Sequence, residues 1–139
     1  MSIERTFAMI KPDAVGRGLA GEILCRIQAA NFQIVAIKSL RLTLDEAGGF
    51  YAVHRERPFF KDLTEFMSSG KVIAMVLEGE NAISRWRYTM GATDPAKAGE
   101  GTIRKALGTS IQFNCTHGSD APETAAFEIG YFFAGSDLI

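Results

Sequence analysis

The chain has 139 residues, 47% of them hydrophobic and 22% charged, and its fifteen basic and sixteen acidic side chains leave a formal net charge of −1. That balance excludes a mostly disordered polymer. It also excludes a protein that gathers nucleic acid or anionic lipid by bulk positive charge, so any phosphate recognition must come from a local cluster. The longest apolar run, Val72 to Leu77, falls far short of the about 20 residues a membrane-crossing helix needs. The start, Met-Ser-Ile-Glu-Arg, carries no apolar signal segment, and a cytoplasmic location is expected. Cys25 and Cys115 make no disulfide framework, and with His54 and His117 they show no close-ligand spacing for structural zinc.

In chain order, residues 3–10 read as a strand that stops at Lys11-Pro12, because proline cannot donate to a ladder. Leu19, Ile23, Leu24, Ile27 and Ala30 share one face of a helix, which Asn31 can close in a left-handed conformation. Residues 33–42, rich in Ile and Val, form a second strand. Thr43 with Glu46 is a capping box, opening a helix that runs through Tyr51. Pro58 opens another, with Phe59, Phe60, Leu63, Phe66 and Met67 as its apolar stripe and Gly70 after its end. Residues 71–78 are a strand buried on both faces, and a helix follows Asn81, bringing Ile83, Trp86, Arg87 and Met90 together.

Residues 91–116 are broken by Gly91 to Pro95 and by Gly99-Glu100-Gly101, and read as a long loop with one helical turn near 103–106. A loop of that length in a compact domain is usually functional or disordered. A short strand over 113–117 follows. Then Asp120 with Glu123 forms a second capping box, and Ala125, Ile129, Phe132 and Phe133 are the buried side of the last helix. Stripped of the extra helices the order is βαββαβ. This is a ferredoxin-like α+β fold: a four-stranded antiparallel sheet with helices expected on one face, in a single domain over 1–139.

His117 stands between a strand end and a helix start, in His117-Gly118-Ser119-Asp120. Free N–H groups at a helix start favour an anion. A neutral imidazole there is placed to attack a phosphoryl group and carry it, and a carboxylate on one ring nitrogen would aim the other. Glu128, two turns along, is the candidate. The competing reading is a polar histidine at a helix cap. Lys11, Arg87 and Arg104, with Asn114, Thr93 and Tyr51, are placed to surround a polyphosphate, since phosphoryl transfer needs donors on its equatorial oxygens and little else. Taken singly, each cation reads equally as a solvated charge. No GxxxxGK[ST] loop is present, and Gly16 to Gly21 has the wrong spacing, so it reads as a strand–helix connection. Phe60 is core; Phe59 is either core or a base-stacking platform at a cleft mouth.

Several of these stretches recur together in one known family. Glu4 to Phe7, Ile10 to Val15, Gly49 to His54, Arg57 to Phe60, Val76 to Ala82, Met90 to Pro95, Gly101 to Arg104 and Asn114 to Asp120 stand in the same order and spacing as in nucleoside diphosphate kinases. The chain resembles that family over essentially its whole length. The resemblance implies a base-nonspecific, ping-pong transfer of the γ-phosphate of a nucleoside triphosphate, mainly ATP, to nucleoside diphosphates, with a phosphohistidine on His117. It implies that Lys11, Tyr51, His54, Arg87, Thr93, Arg104 and Asn114 hold phosphates and ribose, that Phe59 stacks the base, and that Glu128 and Ser119 orient and support the histidine. Mg²⁺ is implied as a passenger on the nucleotide phosphates, with no side chain dedicated to it. A homo-oligomer is implied, a hexamer or else a tetramer.

The sequence departs from the family pattern at Ala106 and Leu107, where an acidic and an aromatic residue are usual, and at Lys71, where proline is common. It ends at Ile139, at the short end for the family. Two other readings compete with the enzyme: a catalytically silent nucleotide-binding relative and a ferredoxin-like nucleic-acid-binding module. The net charge of −1 and a single aromatic, Phe7, on the first strand weigh against the second.

Overall fold

The computed structural model describes residues 2–139. Strand β1 (Ile3–Ile10) pairs antiparallel with β3 (Lys71–Glu80) along its length, Ile3 opposite Glu80 and Ile10 opposite Ile73. Strand β2 (Gln33–Arg41) pairs antiparallel on the far side of β3, with a bulge between Ile34 and Ala36. The short β4 (Thr116–Gly118) pairs with β1, His117 opposite Met9. The sheet order is β2-β3-β1-β4, the ferredoxin-like arrangement that the βαββαβ order predicts.

The helices cover both faces of the sheet rather than one. The reason lies in the central strands, which are apolar at every position from Phe7 to Ile10 and from Val72 to Leu77. Alternation then sends apolar side chains both ways, and each face must be hidden. Ala8, Ile10, Met75 and Leu77 pack on one side against α2 (Ala20–Ala29) and α5 (Ala82–Met90), through Ile23, Ile27, Trp86 and Met90. Phe7, Met9, Ala74 and Val76 pack on the other against α3 (Leu44–Phe50), α4 (Phe60–Met67) and α7 (Pro122–Phe132), through Ala47, Phe50, Met67 and Phe132. Burying one such side chain is worth about 1.5–3 kcal/mol.

Most local signals are realised. Asn31 is left-handed, at φ 66°. Thr43 and Glu46 make both bonds of the capping box, at 2.8 and 3.0 Å. Four details differ. First, Pro12 ends β1 but also opens α1 (Pro12–Gly16), since its fixed φ suits the first helical position. Second, α4 begins at Phe60 rather than Pro58. The chain between Tyr51 and Phe60 climbs by successive three-residue turns: His54 N–H donates to Tyr51 O, Arg57 N–H to His54 O, and Phe60 N–H to Arg57 O. Third, β4 begins at Thr116 rather than 113, because Cys115 sits at φ 75°, outside any strand conformation. Fourth, the cap of α7 is made by Thr124 and not by Asp120 with Glu123: its hydroxyl accepts the Ala121 N–H at 3.0 Å and donates to Asp120 Oδ1 at 2.8 Å.

The stretch 91–116 holds a turn of 3-10 helix (Pro95–Lys97) and α6 (Ile103–Leu107), the latter at the place expected for a helical turn. Leu107 packs against the core with its side chain, and its carbonyl accepts from Arg17 Nη1 at 2.7 Å. Lys71 opens β3 opposite Arg41.

Candidate active site

Strand β4 carries His117 at the edge of the sheet. Its imidazole projects among Phe50, Tyr51 and Phe7, with ring centroids 5.4, 6.0 and 6.1 Å away. Nε2 lies 3.0 Å from Glu128 Oε1, and Ser119 Oγ donates to the same oxygen at 2.7 Å. A carboxylate accepts only, so this pairing assigns the proton to Nε2 and leaves the lone pair on Nδ1. The imidazole is 21% exposed and the carboxylate 13%, so the pair is sheltered yet open on one side.

Lys11 follows the end of β1. Its ammonium donates to Asn114 Oδ1 at 2.7 Å and to the Gln112 carbonyl at 2.9 Å, and it lies 5.6 Å over the Phe66 ring. Burial pulls its pKa down to about 8, with Asp13 opposing and the Arg104 charge adding to the fall. Asn114 passes the connection on, its Nδ2 donating to Thr93 O at 3.0 Å.

Arg104, on α6, donates from Nη1 to Gly91 O at 3.0 Å and from Nη2 to Thr116 O at 2.8 Å. Its buried Nε–H has no partner among the described residues. Burial and the neighbouring Arg87 bring its pKa down to about 10. Arg87, Arg104 and Thr93 line one cavity of about 420 Å³. Thr93 and Lys11 line a second, of about 530 Å³, together with Phe59, Leu63, Asp62 and Ile111. Phe59 stands at its mouth, 48% exposed, which favours the platform over the core reading. His54 bridges inward, 5.5 Å from the Phe59 ring and 6.4 Å from that of Tyr51. The 3-10 turn after α3 (Ala52–His54) puts Tyr51 and His54 on one side, because residues three apart eclipse there. Burial, reinforced by Glu128, holds the Tyr51 phenol well above its usual range.

All eleven residues expected from the sequence therefore join one continuous neighbourhood. An aromatic branch runs Phe59–His54–Tyr51–His117, and a polar branch runs Lys11–Asn114–Thr93–Arg104–Arg87. Sequence reasoning missed several supports. The Gln112 carbonyl lies outside every quoted motif, and the Phe7 and Phe50 rings, though inside two of them, carry no signal of a role at the site. Asp13 holds Cys115 in its left-handed conformation by accepting its N–H at 3.1 Å, while the Lys11 N–H takes the Cys115 carbonyl at 2.8 Å. A second hollow of about 530 Å³, beside Asn31, Glu78 and Arg85, contains none of the expected residues.

An imidazole paired with Glu128, on the same ferredoxin-like sheet as cavities lined by Lys11, Arg87, Arg104 and Phe59, suits a nucleotide-handling phosphotransferase. Comparison with known proteins agrees. A sequence model of nucleoside diphosphate kinase matches residues 4–138. The chain is 61% identical over 137 residues to the nucleoside diphosphate kinase of Nitratidesulfovibrio vulgaris, covering 99% of each. It is 60% identical over 139 residues to that of Brucella anthropi, covering 100% of this chain and 99% of that one. The solved structure of the Aquifex aeolicus enzyme superposes with a TM-score of 0.97 at 48% identity, covering 99% of this chain and 100% of that one. The Halobacterium salinarum enzyme, solved in complex with CDP, gives 0.94 at 41%, covering 99% and 92%. The chain belongs to the nucleoside diphosphate kinase family. Its reaction is the phosphorylation of a nucleoside diphosphate by a nucleoside triphosphate, by the ping-pong phosphohistidine route general to that family, which uses a divalent metal ion such as Mg²⁺.

Proposed function

We propose that His117 is the phosphoryl carrier and that the two branches around it divide the nucleotide between them. Nδ1 attacks the γ-phosphorus, the bond to the β–γ bridging oxygen breaks, and the diphosphate leaves with that oxygen. In the second half-reaction a terminal oxygen of another diphosphate attacks the same phosphorus, and the N–P bond breaks. The single observation that supports this reading is the Nε2 to Glu128 contact at 3.0 Å, which leaves Nδ1 as the nucleophile. Glu128 balances the positive charge that develops on the ring, and Ser119 keeps that carboxylate aimed.

Lys11, Arg87 and Arg104 meet the charge on the phosphate oxygens, with Thr93, Asn114 and Tyr51 as polar and positioning partners. The unpaired Nε–H of Arg104 fits that demand, being a buried donor in want of an acceptor. His54 lies between the phosphate end and Phe59, at the level of a ribose. Phe59 stacks the base, a contact that tolerates every base. The metal travels with the nucleotide. Cations line this cleft, and among the described residues no group of three or more His, Cys, Asp or Glu side chains is placed to hold an ion. Mg²⁺ bound to the phosphates supplies charge neutralisation there.

The whole chain, 1–139, acts as one catalytic domain in the cytoplasm; among the described residues no helix is long and apolar enough to cross a membrane. It assembles with copies of itself, as a hexamer or alternatively a tetramer. The free edge of β2, with Ile37 exposed, supports association, and light scattering giving a monomer mass would refute it. Intact mass spectrometry after brief incubation with Mg-ATP tests the mechanism. Wild type should gain one phosphoryl group and lose it on addition of GDP, while His117→Ala should gain none. No gain on wild type, or an equal gain on the variant, would overturn the assignment.

A further inference from the structure

The imidazole of His117 projects onto one face of the sheet, yet its backbone is gripped from the other. Trp86, fully buried on α5, donates its indole Nε1–H to the His117 carbonyl at 3.3 Å. The same ring lies against the next residue. A Cβ added at Gly118 would stand 2.5 Å from Trp86 Cδ1 and 2.7 Å from Nε1, so the indole occupies the space that only a glycine leaves free. Phe32 meets the indole edge-on, ring centroids 6.0 Å apart, and the Arg85 guanidinium caps Phe32 at 4.4 Å. Arg85 is tied in turn to Glu80 O at 2.6 Å and Ala30 O at 2.9 Å. The indole therefore has a rigid back wall.

Such a grip answers a weakness of the site. Strand β4 is three residues long and lies at the sheet edge, and Cys115 just before it is left-handed. Its pairing with β1 runs only from the Lys11 N–H on Cys115 O at 2.8 Å to the Ser119 N–H on Phe7 O at 3.2 Å, so the indole adds a hold on the His117–Gly118 peptide from outside that short ladder. A small rotation of that peptide would swing the imidazole away from Glu128 and mis-aim Nδ1. Transfer rates are sensitive to such errors, about 10²-fold for a misplacement near 1 Å. Helix α5 also carries Arg87, the residue after Trp86, so one helix places both the carrier's backbone and a cation of the cleft.

We infer that Trp86 is a positioning residue for phosphoryl transfer, its indole N–H fixing the His117 peptide from the far face of the sheet. The effect on catalysis rests on the assignment of His117 as phosphoryl carrier; the effect on the ring's position does not. Because Trp86 is the only tryptophan, the N–H can be removed without removing the ring. Replacement by β-(3-benzothienyl)alanine exchanges N–H for sulfur at nearly the same volume, and Trp86→Phe is the genetic counterpart.

Two readouts are taken on both variants. The first is steady-state kinetics with ATP and a diphosphate acceptor. The benzothienyl variant should lose about tenfold in kcat, the worth of one hydrogen bond, with KM for either nucleotide within about twofold. The second is ¹⁵N NMR of the two histidines, His54 and His117, in the enzyme without nucleotide. The His117 ring signals should move away from the pure Nε2–H pattern while those of His54 stay. Unchanged kcat with unchanged His117 signals in the benzothienyl variant would overturn the inference. So would a loss in Trp86→Phe that only follows its folded fraction in a thermal melt, with normal ring signals. If wild type takes no phosphoryl group, the carrier assignment fails, and the ring signals alone decide the role of Trp86.

Discussion

Lys11 and Asn114, 103 positions apart in the chain, are joined by a buried hydrogen bond of 2.7 Å. One residue follows the first strand and the other precedes the last. The bond anchors the ammonium in the interior, and its burial makes it a stronger electrostatic partner for phosphate and a weaker base.

The lowered pKa of Lys11, about 8, has two consequences with definite signs. Only the protonated form attracts phosphate, so KM for a nucleoside diphosphate should rise as pH passes above about 8. A bound polyphosphate favours the charged form, so binding near pH 8.5 should take up protons. Calorimetry in two buffers of different ionisation enthalpy measures that uptake, and Lys11→Met should abolish it. For folding, the unfolded chain holds the Lys11 proton up to its ordinary 10.5. Its burial therefore costs stability in full below pH 8 and ever less as pH rises from 8 towards 10.5. The size is on the order of 3 kcal/mol, read as an upward slope in apo-enzyme stability over that window.

Glu128 and Ser119 should separate in magnitude. Glu128→Gln removes the charge that balances the imidazolium and admits the wrong tautomer, and kcat should fall by about 10²-fold or more. Ser119→Ala removes one of two bonds to that carboxylate, worth about 1 kcal/mol, and kcat should fall roughly fivefold. Stopped-flow phosphorylation of each variant checks the order. A larger loss for Ser119→Ala would contradict the geometry.

Arg104→Lys keeps the charge and loses the fork. A lysine ammonium is a compact point charge and lacks the planar fork whose two arms reach Gly91 O and Thr116 O at 3.0 and 2.8 Å. The variant should lose about 1–3 kcal/mol of stability through the unpaired carbonyl. Its activity should fall by about 10²-fold, as for one lost transition-state donor. Wild-type activity in this charge-conserving variant would show that charge alone suffices.

Gly118→Ala should be costly although the residue sits in an extended strand. Its Cβ would meet Trp86 at 2.5 Å and the Met90 Cε at 2.7 Å. The flexible methionine can move; the buried indole cannot without shifting α5 or β4. About 1–3 kcal/mol of destabilisation is expected, or about 4 °C in melting temperature per kcal/mol for a chain of this size.

Signals that act within a few residues were legible without coordinates. The capping box at Thr43 and Glu46, the left-handed Asn31 and the proline that ends β1 are all settled by short-range sterics and hydrogen bonds. The misreadings arose where a competing partner takes the bonds, a near neighbour in one case and a residue far along the chain in the other. Asp120 with Glu123 satisfies the capping pattern, yet Thr124 takes the bonds. Residues 113–115 suit a strand, yet Asp13 and Lys11 hold Cys115 at φ 75°.

By itself, then, the order of motifs along these 139 residues determined the ferredoxin-like sheet, the family and the list of residues expected at the site. Only the tertiary structure decided how they meet: that Nε2 rather than Nδ1 faces Glu128, that both sheet faces are covered, and that the Trp86 indole reaches the His117 carbonyl from behind. The physical reason is range. Pattern and propensity report on neighbours one to four positions away, whereas each of these relationships joins separate elements and exists only once the sheet has brought them together.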